Sequence, residues 1–286
     1  VHTSIIRHAY PTDGAEEEHQ ALHQAASEMI DGLERDPRNL EFAFMITLTE
    51  AESRCASDPL AEFAPTWRAW VAAMQVGSAL FAAADSAGER VEARIAGKAR
   101  SIPATGPNRA AHAGNWIKAF WLAVVCREQD RMTQLCRVPI SLLRASGAEF
   151  DEYVYAWIDT LQSYWLRRDG VGGKLVAASA GALPQNTEIV SADLLLMVLS
   201  QPIKLFHHYL RQDTAEFSKA LEESLRLHKE YWTADEDRAL SSEGLVALGP
   251  LAMACLAHDD GMPLEVTSDY LPDVLVKAEW VGEFDT

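Results

Sequence analysis

The sequence predicts an all-α fold of stacked helical hairpins, resembling an α-solenoid. Apolar residues recur at helical spacing along most of the 286 residues. Acids and hydroxyl side chains stand where helices begin, and Asp-Pro pairs stand where they end. A weak internal echo supports stacking: "WLRRD" and "YLRQD" recur 44 residues apart, each between two helical segments, a period that suits helix pairs.

The elements follow in order. "DGAEEEHQALHQAASEMIDGLERDP" opens on acids, which interact favourably with a helix N-terminus, and stops at Asp36-Pro37. "RNLEFAFMITLTEAESRCASDP" stops the same way at Asp58-Pro59. "APTWRAWVAAMQVGSALFAAA" is so apolar that it should be buried on most faces. In "ERVEARIAGKARSIPATGP" the period changes to two around an Ala-Gly turn, which predicts a short β-hairpin near residues 90–102, the only sheet expected. Helices resume near Asn115. Ser146, three residues before Glu149, fits a capping box for the next helix. That helix carries the stripe Tyr153, Trp157, Leu161, Tyr164, spaced for a buried aromatic seam. Further helices are expected over residues 192–200, 201–211, 213–232 and 245–257. One all-α domain over residues 1–286 is expected, with a minor joint near residues 180–188 around Pro184.

Lys plus Arg total 25 against 42 Asp plus Glu, a net charge of −17, which disfavours nucleic-acid backbones and anionic membrane surfaces. The excess is concentrated: residues 213–286 hold 17 acids and 5 bases. No apolar run approaches the ~20 residues that cross a bilayer, and no secretory signal pattern opens the chain. Cys55, Cys126, Cys136 and Cys255 are scattered, with no C-x-x-C pair, and three lie in apolar helical surroundings. Reduced thiols in a cytoplasmic protein are the simplest expectation.

Motifs that carry chemistry are weak. His19 and His23 stand one helical turn apart with Glu16 nearby, a spacing that can share a zinc. The intervening Gln-Ala-Leu lacks the glutamate base of zinc proteases and no third ligand is spaced to join, so a solvated face is the simpler reading. His207 and His208 are consecutive and point apart. No G-x-S-x-G elbow is present. "DGVGGKL" follows a helix where a phosphate loop would follow a strand, and reads as a glycine-rich turn. The aromatic clusters have no basic stripe beside them and read as core.

The densest polar segment is "HKEYWTADEDRALSSEG". Thr233 with Glu236 repeats the capping-box pattern, and Ser241 or Ser242 could cap a buried helix beginning near Gly244. Its acids are consecutive, unlike a calcium loop, and would fan outward rather than pair in a cleft. No catalytic residue, metal ligand or cofactor is expected.

Three long stretches carry a resemblance: "AWVAAMQVGSALFAAA", the run from "GNWIKAFWLAVVCREQD" to "YAWIDTLQSYWL", and "LHKEYWTADEDRALSSEGLVALGPLAMACLAHDDGMPLEVTSDYLP". Over about residues 67–272 the chain resembles the immunity protein 49 family of actinobacterial polymorphic-toxin systems. The resemblance implies an all-α, non-enzymatic protein that binds and neutralises a cognate protein toxin inside the producing cell. A concentrated negative charge would suit a basic toxin, which makes Asp235, Glu236, Asp237, Glu243, Asp259 and Asp260 the expected contacts. The competing readings are a helical-repeat scaffold for another protein, and a metal-dependent enzyme using His19 and His23.

Overall fold

The computed structural model describes residues 3–283. It is mostly helical, with two short two-stranded sheets, and the all-α class is borne out. The described residues form two compact units, one of residues 12–149 and 280–283, the other of residues 3–11 and 150–279. The boundary near residue 150 lies well before residues 180–188, which fall inside the second unit.

A strand, β1 (Thr3–Ile5), opens the described chain. The first unit then begins with α1 (Ala15–Gly32) and α2 (Leu40–Ser57), an antiparallel pair whose inner residues include Ile30, Ala43, Phe44 and Leu48. Asp58 ends α2 as its Asp-Pro pair predicts. Its carboxylate accepts from Glu62 N–H (2.9 Å), Phe63 N–H (3.0 Å) and Thr66 Oγ1 (2.7 Å), which sets up the start of α3 (Ala64–Asp85). As expected, α3 is buried on most faces, with Trp67, Trp70, Met74 and Phe81 essentially inaccessible. Gly77 lets three helices approach: a Cβ there would lie 2.7 Å from Phe44 Cε2 and 3.1 Å from Ala119 Cβ.

The hairpin is present as β2 (Arg90–Ile95) and β3 (Lys98–Pro103), paired antiparallel from Arg90↔Pro103 to Ile95↔Lys98. Ala96 and Gly97 form its two-residue turn with φ of 52° and 75°, the left-handed backbone that matches strand twist. Buried Arg100 ties the hairpin to α1 through Asp31 Oδ1 (2.7 Å) and Ile30 O (3.2 Å). The unit continues with α4 (Ala113–Val125), α5 (Gln129–Arg137) and α6 (Ile140–Arg144). Trp116 Nε1 donates to Leu135 O at 2.9 Å, joining α4 to α5.

The second unit contains α7 (Glu152–Trp165) and α8 (Val171–Gly181). A short helix, α9 (Ala192–Leu194), runs into a π-helical turn at Leu195–Leu199. Then come α10 (Gln201–Leu210), α11 (Thr214–Trp232), α12 (Glu236–Ala239), α13 (Leu248–Asp259), β4 (Val266–Ser268) and α14 (Asp273–Val276). The predicted seam is buried at Tyr153, Trp157 and Leu161 and half-buried at Tyr164, and Trp157 and Tyr164 meet Phe206 of α10 edge-on, at centroid distances of 5.3 and 5.1 Å. The two echoed segments do turn alike. Arg167 and Gln212 both adopt positive φ (54° and 53°), and the following N–H reaches back five residues, Arg168 to Ser163 O and Asp213 to His208 O. This is the left-handed helix ending usually taken by glycine.

The expectation of one sheet is corrected. β1 pairs in parallel with β4, Thr3↔Val266 to Ile5↔Ser268. Both strands are three residues long, too short to show a period. The first capping box is also corrected. Ser146 Oγ donates back to Leu143 O (2.6 Å), and Asp151 is the N-cap of α7.

Candidate functional site

The acidic segment forms a corner between α11 and α13. α11 is capped by Asp213, which accepts from Glu216 N–H at 3.3 Å, and packs inward through Phe217, Leu221, Leu225 and His228. Its end is closed by Thr233, whose hydroxyl donates to Lys229 O at 2.8 Å. Thr233 therefore does not cap the next helix. That role falls to Asp235, which accepts from Arg238 N–H at 2.8 Å. The serine reading is corrected too: Ser241 precedes only a 3₁₀ turn, Ser242–Gly244, and makes no side-chain cap, while α13 begins at Leu248.

Arg238, which stands among the acids, organises the corner. Its Nε lies 3.1 Å from Asp235 Oδ2, its Nη1 lies 3.3 Å from Asp193 Oδ2, and its guanidinium sits 4.2 Å from the Tyr231 ring centroid. The i, i+3 spacing from Asp235 to Arg238 was the signal for it in the sequence.

Beneath the corner lies a buried cluster that sequence reasoning missed. His228 Nε2 donates to Gly244 O at 3.1 Å, and its ring meets Tyr270 edge-on at 4.9 Å. Tyr270 Oη lies 2.8 Å from His8 Nδ1. Burial pushes His228 down to about 4, against a Gly244 bond that raises it. Burial also lowers His8. Gly244 packs closely against the cluster: a Cβ there would sit 3.0 Å from Trp232 Cγ, and the indole would have to give way.

Asp235, Glu236, Asp237, Glu243, Asp259 and Asp260 are all exposed, but they do not form one cluster. Asp235 to Asp237 begin α12, and Glu243 stands in the 3₁₀ turn. Asp259 and Asp260 stand at the far end of α13, whose 12 residues span ~18 Å. Asp260 Oδ2 accepts from Tyr209 Oη at 2.5 Å, and Tyr209 in turn lies 2.7 Å from Tyr164 Oη. A hydrogen-bonded chain thus runs from the aromatic seam to this acid.

The solvated reading of the paired histidines is corrected for His19. It is buried, its Nε2 donating to Ser53 O at 3.1 Å, while the more exposed His23 meets Glu50 Oε1 at 3.0 Å. Both bind α1 to α2. Among the described residues no group of three or more His, Cys, Asp or Glu is placed to hold a metal ion. All four cysteines are buried as thiols rather than disulfides. No helix of the described residues is long and apolar enough to cross a membrane.

Fold and corner define an all-α protein with a run of exposed acids at the start of α12. The family model described as immunity protein 49 matches residues 58–275, and the chain belongs to that family. No curated protein and no solved structure matches.

Proposed function

We propose that this protein neutralises the cognate toxin of a polymorphic-toxin system by binding it, without catalysis, inside the producing cell. Membership of the immunity protein 49 family carries the reading. The charge supports a basic toxin. A chain of net charge −17 attracts a cationic partner over a Debye length, ~8 Å at physiological salt, and raises the rate of encounter. Asp235, Glu236, Asp237 and Glu243 are the proposed contacts at the corner, with Asp259 and Asp260 contributing field from the other end of α13.

The test is co-expression with the toxin domain encoded by the adjacent gene. Survival of cells carrying both, with co-purification of the two chains, is the expected result. Killing that proceeds unabated despite abundant folded protein would refute the proposal.

A further inference from the structure

In a chain with 23% charged residues, residues 170–203 carry only Lys174, Glu188 and Asp193. The same stretch leaves five large apolar side chains in solvent: Val176 (66% exposed), Leu183 (42%), Ile189 (57%), Leu196 (46%) and Leu199 (39%). Scattered exposed apolar residues need no explanation, but a charge-poor run of them is the composition of an interface core.

The run is held in a defined shape. The Asp151 carboxylate accepts from the N–H groups of Glu188 (2.6 Å), Ile189 (3.1 Å) and Val190 (3.0 Å), presenting Ile189 outward. Asn186 Nδ2 donates to Ala180 O at 2.8 Å, fastening the loop to the end of α8. Ser200 N–H bonds Leu195 O at 2.9 Å, closing the π turn. That turn buries Leu195 and leaves Leu196 and Leu199 exposed. A π turn is a costly interruption that recurs at functional sites. The run also touches the acidic corner, because Arg238 bridges Asp235 to Asp193 in its middle.

We infer that the charge-poor segment of residues 170–203, through its exposed Val176, Leu183, Ile189, Leu196 and Leu199 (the apolar ledge), supplies the anchoring contacts of the surface that docks the basic toxin, with Asp235 to Asp237 as its charged rim. The inference rests on the proposed function. Charge selects the occupant. Two copies of a chain of charge −17 repel each other, and anionic lipid is repelled likewise, whereas a cationic protein with apolar side chains complements ledge and rim together.

The experiment measures binding of the full chain to the adjacent gene's toxin domain, in a catalytically inactive form, by surface plasmon resonance at two salt concentrations. Ile189→Asp with Leu196→Asp is compared with the milder Ile189→Ser with Leu196→Ser, and circular dichroism checks that both fold. A rim variant carries Asp235→Ser, Glu236→Gln and Asp237→Asn, with serine retained as a cap. The expected result is ~100-fold weaker binding for the aspartate pair, through faster dissociation. The serine pair should lose less, and the rim variant should associate more slowly with a flatter salt dependence. Wild-type binding with undiminished affinity in the folded ledge variants would overturn the ledge while leaving the proposed function standing. Absence of wild-type binding and protection would overturn both. A wild-type dimer that the ledge variants turn into monomer, with toxin binding unchanged, would assign the ledge to a second copy and also overturn the inference.

Discussion

Replacing His228 with glutamine tests how the acidic corner is held. The imidazole is fully buried, bonded to Gly244 O, and pushed by burial from 6.5 to about 4. In the unfolded chain the ring takes up a proton near 6.5; in the folded chain it does so only near 4. Between these values the unfolded state binds more protons, so stability is fully present above 6.5 and is lost as pH falls towards 4. The separation corresponds to about 3 kcal/mol in full, and to about 2 kcal/mol by pH 5. Urea denaturation of wild type and His228→Gln at pH 7.5 and pH 5.0 isolates this contribution, because carboxylates common to both cancel in the difference. Glutamine can still donate to Gly244 O, so the variant should fold. Its loss of stability between the two pH values should be smaller than that of wild type by about 2 kcal/mol. Equal losses in the two proteins would refute the assignment of a neutral, buried His228 to the folded state.

Other substitutions test the packing. Gly77→Ala should destabilise the first unit by about 1–3 kcal/mol, because its Cβ meets the Phe44 ring, and Phe44→Leu in the same chain should recover part of the loss by urea denaturation. Ala96→Gly should stabilise by up to about 0.5–1 kcal/mol, since alanine there holds a φ of 52° in the hairpin turn. Asp151→Ala should speed amide hydrogen exchange at Glu188, Ile189 and Val190, whose N–H groups the carboxylate accepts. Burial alone would raise Asp151, but those three donors hold it below the usual carboxylate range. This restraint is therefore lost as pH falls through that lowered value.

What the sequence revealed depended on how far apart the cooperating residues lie. The hairpin was legible because its alternation and its Ala-Gly turn sit within a dozen residues. The seam of Tyr153, Trp157, Leu161 and Tyr164 was legible because one helix carries it. The β1–β4 pair was not, since two three-residue strands some 260 residues apart leave no local period. Ser146 and Thr233 misled for a shared reason. A hydroxyl three residues before an acid can bond forward as a cap or backward to a finished helix, and both bond backward, to Leu143 O and Lys229 O. At the site, the outward exposure of all six acids was anticipated, but not their division between the two ends of α13. The His8–Tyr270–His228 cluster and the Arg238–Asp193 pair were missed because they join residues distant in sequence, whereas the Arg238–Asp235 pair lay within reach of its i, i+3 spacing.

Titrating the activity of the purified toxin with the purified chain tests the central claim of neutralisation by binding most directly. The account predicts that inhibition rises linearly and is complete at one equivalent, and that the toxin regains full activity when the complex is dissociated and the chain removed. Complete inhibition by a small fraction of an equivalent, or toxin that stays inactive after the chain is removed, would contradict it and indicate a catalytic modification.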